Sequence, residues 1–221
     1  MTDDAHQKRA CDTRCLTDCI GAVLAGGRSR RMGGGRKALL PLVGRPLIRH
    51  VLDRLEPQVD TVVLSVDRAS DALGRLGPEQ VPDINPGSNG PLGGLAAVLH
   101  HAERGGYTWL QLAPCDAPFI PMDLSLRLRE HAEREGCDVA LVRQGGRLQP
   151  VFSIWHVSMR PALEDAVKVE GMGGFKAFLD SRTHGVLDWP DADGKPFFNI
   201  NDRRALREAE RLMVGDSKET A

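Results

Sequence analysis

The feature that most constrains this chain is an alternation. Short apolar runs of strand length recur along it, and stretches with helical spacing separate them. "CIGAVL" (19–24), "TVVLSV" (61–66), "TWLQLAP" (108–114), "DVALVR" (138–143) and "LQPVFSIW" (148–155) read as strands, and a last one is expected at "FFNI" (197–200). Leu47, Ile48, Val51, Leu52 and Leu55 form one apolar stripe behind Pro46, a residue suited to a helix start. Leu95, Val98, Leu99 and Ala102 mark a second helix, and Leu124, Leu128 and Ala132 a third. Helical patterns follow around 158–168 and 173–181, and a final helix runs from Asp202, its cap, to about Met213. Strands alternating with helices predict an α/β fold. The expected form is a three-layer α/β/α sandwich around a mostly parallel, Rossmann-like sheet. "QGGR" (144–147) reads as a hairpin turn, which puts an antiparallel strand in the second half.

With 221 residues, one domain is the best prior, assigned to 19–214. Residues 1–18 are polar and aperiodic and read as a mobile tail, and 215–221 as a second tail. Basic and acidic residues nearly cancel, 29 against 30, so any positive field is local and neither nucleic acid nor membrane is expected as a partner. One Tyr and three Trp leave little for base-stacking platforms. The start lacks the basic and apolar regions of a secretion signal, so a cytoplasmic location is expected. Cys11, Cys15 and Cys19 are four residues apart and would align on a helix, but the spacing matches no zinc pattern. Cys115 and Cys137 read as structural.

In such sheets ligands bind beyond the carboxyl ends of the strands. After the first strand comes "AGGRSRRMGGGRK" (25–37), with five glycines and five basic residues. Gly26, Gly27, Gly33, Gly34 and Gly35 leave backbone N–H groups unshielded, and Arg28, Arg30, Arg31, Arg36 and Lys37 add charge, which together suit a polyphosphate. Lys37 is flanked by Arg36 and Ala38, so this is not a Walker-type loop, and no dinucleotide fingerprint fits. Asp116, in "APCDAPFIP", follows another strand on the same expected edge. A carboxylate there can hold Mg²⁺ against substrate phosphates, since Mg²⁺ needs only one or two protein carboxylates. No HExxH helix and no G-x-S-x-G elbow is present.

"LAGGRSRRMGGGRKALLPLVGRPLI" resembles the opening signature of the molybdenum cofactor guanylyltransferases, nucleotidyltransferases with a glycosyltransferase-A-like fold. "GPLGGL", "CDAPFIP" and "FFNINDRRAL" follow in the family's order. The resemblance implies that Leu24, Ala25 and Gly26, with Gly27, lie on the guanine side of a GTP site. It implies that Lys37 meets the nucleotide phosphates, with Arg31 as a second basic contact and Asp116 as the Mg²⁺ ligand. These three are the implied catalytic set. Ser65, where the family often has Asn, and Asp83, before the glycine loop, complete the implied GTP site. Asn199 and Asn201 match a late Asn-x-Asn at the acceptor end of the pocket. Arg36 departs from the family, which commonly has Asp there, and Gln149 stands where some members have His.

The implied reaction transfers GMP from GTP to molybdenum-molybdopterin cofactor with release of pyrophosphate, Mg²⁺ being the cofactor. Implied partners are GTP, the molybdopterin acceptor, and the proteins that insert the cofactor or mature molybdoenzymes. Two alternatives stay open on the residues. One is a sister nucleotidyltransferase that uses CTP or another phosphorylated acceptor. The other is a non-catalytic protein that binds nucleotide or cofactor.

Overall fold

The computed structural model describes residues 15–26, 36–84, 90–190 and 196–216. In chain order the elements are β1 (Leu16–Leu24), a small hairpin of β2 (Pro41–Leu42) and β3 (Arg45–Pro46), α1 (Leu47–Leu55), β4 (Val59–Val66), the one-turn α2 (Asp71–Gly74), and β5 (Glu79–Pro82). Then come α3 (Gly90–Arg104), β6 (Trp109–Pro114), α4 (Leu124–Glu135), β7 (Val139–Gln144), β8 (Arg147–His156), α5 (Arg160–Lys168), α6 (Phe175–Asp180), β9 (Gly185–Asp188) and α7 (Arg203–Asp216).

Seven strands form one sheet in the order β5-β4-β1-β6-β8-β7-β9. Each neighbouring pair is parallel except the two made by β8, which runs against β6 and β7. The predicted hairpin is the cause: Gly145 and Gly146 both take positive φ, 54° and 73°, as a two-residue turn of this hand requires. The strand alternation sends side chains to two separate cores. Cys19 and Val23 pack with Ile48, Val51, Leu52 and Leu55 of α1 and with Leu124, Leu128 and Ala132 of α4. Ile20 and Ala22 face α3, α5 and α6 on the other side, around Trp155 and Phe178. The three layers expected from the sequence are therefore present.

A third, smaller core joins Leu42 and Leu47 to Ile200 and to Ala209 of α7, with Phe119, Phe198 and Leu206 around it. It decides the fate of "FFNI". This segment is not a strand: residues 198–200 carry no regular structure. Phe197 instead packs edge-on against Phe152 and Trp189, at 4.8 and 5.3 Å between ring centroids, while Ile200 fills the third core. The apolar pattern was real, but its side chains are plugs between layers. Asp202 caps α7 as expected, its Oδ1 accepting from Ala205 N at 2.8 Å.

Two further expectations change. β1 starts at Leu16, inside the span read as a tail, and the short β5 and β9 lacked a strand-length signal. Among the described residues the thiols have no helix to align on, and Cys19 is the ordinary buried thiol of a strand. Cys19 is buried within β1, Cys15 stands just before it, and Cys11 lies outside the described residues. Burial pushes the Cys19 thiol up to about 12, the state of an inert core cysteine. Among the described residues, no helix is long and apolar enough to cross a membrane.

The β2–β3 turn holds Val43 at φ 47° before Gly44 at φ 75°. A β-branched residue is strained in that region, where Asn is tolerated. Val43→Asn is expected to raise stability by about 1 kcal/mol, read as a higher urea midpoint at unchanged slope.

Candidate functional site

The register of the central strands builds one edge. Leu24 is level with Ser65 of β4 on one side and with Pro114 of β6 on the other, and Val66 is level with Pro82 of β5. The residues just past these strands therefore arrive together: Ala25 and Gly26, Asp67, Asp83, and Cys115 with Asp116. Backbone bonds fix them there. Cys115 N donates to Leu24 O at 3.2 Å, and Asp83 N to Val66 O at 2.9 Å.

Asp116 anchors one end of the site. Lys37 opens a short 3-10 turn whose next residue, Ala38, is buried, and this points the lysine inward. Its Nζ donates to Asp116 Oδ2 and, at 2.6 Å, to Asn201 Oδ1. The side chains of Lys37 and Asp116 are only 19% and 13% exposed, so their attraction is weakly screened. Two unit charges 4 Å apart attract by about 4 kcal/mol at the effective dielectric of such a site. Asn201 arrives because Ile200 N donates to Asp116 O at 2.9 Å, which ties the segment before α7 to the turn after β6. Residues 79 and 164 positions apart thus converge on one ammonium. Asn199, half-buried, lies on the same segment. A carboxylate and an amide oxygen around one cationic atom form the hard-oxygen donor set that a divalent cation takes, so Asp116 with Asn201 fits Mg²⁺. Cys115, wholly buried beside Asp116, has its thiol pushed up to about 12 by burial and is not poised as a nucleophile.

The other end is a cradle of small residues and acceptors. Ala25 N and Gly26 N both donate to Ser65 O, at 2.8 and 3.1 Å. This engages two N–H groups expected to face a ligand, and it leaves the carbonyls as what that backbone can offer. A Cβ on Gly26 would stand 2.5 Å from Asp67 Oδ1. One on Gly94 of α3 would stand 2.5 Å from Ser65 Oγ and 3.0 Å from Asp83 Oδ1. At both places the missing Cβ lets a polar side-chain tip approach closely, and neither glycine is there for an unusual φ. Arg31 and Gly27, with Arg28, Arg30 and Gly33 to Gly35, lie outside the described residues. Lys37, Asp116, Asn201, Leu24, Ala25, Gly26, Ser65 and Asp83 all fall along the one edge. Asp67 and Gly94 were missed from the sequence. Asp67 had a signal: like Asp116, it is the first carboxylate past the end of a strand.

Burial, with Asp67 nearby, pushes the Asp83 carboxyl up to about 6 from an ordinary 3.8. Between about pH 4 and 6 the folded protein then holds a proton that the unfolded chain has lost, so this group adds stability as pH falls through that window. Above it, the buried charge is a standing penalty. Asp83→Asn is expected to be more stable than the wild type at neutral pH, with the difference shrinking as pH falls towards 4. Urea midpoints of both proteins across that range check this.

A family model described as MobA-like NTP transferase domain matches residues 21–186. A molybdenum cofactor guanylyltransferase of Rhodopseudomonas palustris is 35% identical over 198 residues, which cover 89% of this chain and 94% of that protein. One of Cupriavidus pinatubonensis is 38% identical over 195 residues, 86% of this chain and 95% of that protein. Among solved structures, molybdopterin-guanine dinucleotide biosynthesis protein A from Archaeoglobus fulgidus superposes with a TM-score of 0.75 at 26% identity, covering 89% of this chain and 99% of the other. CMP:2-keto-3-deoxy-manno-octonic acid synthetase, solved with CTP, shares the fold at a TM-score of 0.65 and 15% identity. With a family model over most of its length and relatives above 30% identity, this chain belongs to the MobA-like NTP transferase family.

Proposed function

We propose that this protein transfers the GMP group of GTP to the terminal phosphate of molybdenum-molybdopterin cofactor, giving molybdopterin guanine dinucleotide and pyrophosphate. The observation that carries the reading is the convergence of Lys37, Asp116 and Asn201 at the sheet edge. The names of the relatives supply the acceptor and the base. In this reading the base and ribose lie over Leu24, Ala25, Gly26 and Gly27, beside Ser65 and Asp83. The triphosphate runs towards Lys37 and Arg31, and Asn199 and Asn201 border the acceptor.

An acceptor phosphate oxygen forms a bond to the α-phosphorus of GTP, and the bond from that phosphorus to the β-phosphate bridging oxygen breaks. A phosphate monoester is already nucleophilic near neutral pH, so no strong side-chain base is required. The chain works by holding the two substrates in line and by offsetting charge. Lys37 would exchange its carboxylate partner for the nucleotide phosphates, leaving Asp116, with Asn201 beside it, as the residues that would hold Mg²⁺. Mg²⁺ bound there would neutralise charge on the triphosphate and the departing pyrophosphate.

Mixing GTP, Mg²⁺ and the loaded acceptor should release pyrophosphate and form the guanine dinucleotide. Absence of product with GTP, or faster product formation with CTP, overturns the assignment. Lys37→Ala should weaken GTP binding about tenfold to a hundredfold, the value of a charge-assisted hydrogen bond. Asp116→Ala should lose turnover even at saturating Mg²⁺. In chelator, the same variant should bind GTP at least as tightly as the wild type, because Lys37 is released from its competitor. Calorimetry with and without metal separates the two effects.

A further inference from the structure

Asp67 follows β4, level with the residues that leave β1 and β5, and its Oδ1 occupies the space a Cβ on Gly26 would need, 2.5 Å from it. Asp83 follows the next strand, β5, and its Oδ1 would lie 3.0 Å from a Cβ on Gly94 of α3. The two carboxylates sense each other, yet neither has a cationic partner among the described residues. They also share an edge where the N–H groups of Ala25 and Gly26 are engaged by Ser65 O. Among the described residues, what this end offers a ligand is chiefly acceptors: carboxylate oxygens and backbone carbonyls.

Such an end selects among bases by chemistry. Guanine carries N–H hydrogens side by side on one edge, at N1 and at the amino group on C2. Cytosine and adenine each present a bare ring nitrogen at the matching place, which a carboxylate repels. Hypoxanthine keeps N1–H but lacks the amino group, and xanthine replaces that group with a carbonyl. A carboxylate accepting from a polarised N–H makes a strong hydrogen bond, and one set against a bare ring nitrogen or a carbonyl is repelled.

We propose that Asp67 is a specificity-determining residue, accepting from the 2-amino group of guanine while Asp83 shares the N1–H side of the base. The assignment rests on the GTP site proposed above. It gives Gly26 a second role. The missing Cβ there makes room for the Asp67 carboxylate and not only for the nucleotide, so Gly26→Ala acts on base choice through Asp67.

The test is equilibrium binding of GTP, ITP, XTP and 2′-deoxy-GTP, each with Mg²⁺, to the wild type, Asp67→Ala, Asp67→Asn and Gly26→Ala, measured by calorimetry. Asp67 is exposed, so its variants should keep the wild-type melting temperature. The wild type should prefer GTP to ITP, and that ratio should fall about tenfold or more in Asp67→Ala and in Gly26→Ala. Asp67→Asn should gain XTP relative to GTP by a similar factor, because the amide N–H can donate to the new carbonyl. A structural role would lower all four affinities together. Base ratios within about twofold of the wild type overturn the proposal. So does a wild type indifferent to the 2-amino group, or an effect confined to the deoxy nucleotide, which would move Asp67 to the ribose. Pyrophosphate release with the loaded acceptor, run in parallel, keeps the two readings apart. Intact base selection without product counts against the transferase assignment alone.

Discussion

Everything at the site depends on how β1 is held. It pairs in parallel register with β4 on one side and β6 on the other, so Leu24, Ser65 and Pro114 end level. Parallel hydrogen bonds fix that register, and burial of both faces makes a one-residue slip prohibitive, since it would turn two cores inside out. With the strand ends level, the acidic residues that follow β4, β5 and β6 and the Ala25–Gly26 pair that follows β1 share one edge. Moving any strand by a residue would separate them.

The second constraint is the small core of Leu42, Leu47, Ile200 and Ala209. It lies outside the two main layers, and it brings the β2–β3 hairpin and α7 to the same place. Lys37 precedes the hairpin and Asn201 precedes α7, so this packing brings their side chains within reach of Asp116. Hydrophobic contacts thereby set an electrostatic geometry. The lysine stands where it neutralises a poorly exposed carboxylate in the ligand-free protein, and a phosphate chain and a metal ion would take over both halves of that pair.

The two ends of the edge differ in character. The Lys37 end balances a cation against oxygen ligands and suits phosphates and metal. The Asp67 and Asp83 end concentrates acceptors over glycines and suits a base rich in donors. A nucleotide bound as proposed would lie with its base at the Asp67 and Asp83 end and its phosphates at the Lys37 end.

Much of this was legible in the sequence. Strand and helix order fixed the layered α/β class, because side-chain periodicity reports which faces are buried. The "QGGR" turn located the antiparallel strand, because only glycine enters both positive-φ positions cheaply. The rule that ligands bind past the strand ends put Gly26, the first glycine after β1, and Asp116 on one edge. What the chain could not show locally was decided by contacts between distant segments. "FFNI" had the composition of a strand, yet it became a plug, since nothing within four residues reveals that Phe152 and Trp189 wait for Phe197. Gly26 was legible as a permissive residue near a nucleotide, but not as the seat of Asp67, 41 positions away, because that role exists only once β1 and β4 are in register. Sequence determined which groups reach the edge, through local periodicity and turn chemistry. Tertiary structure alone decided which of them touch, because distance between side chains is set by long-range packing.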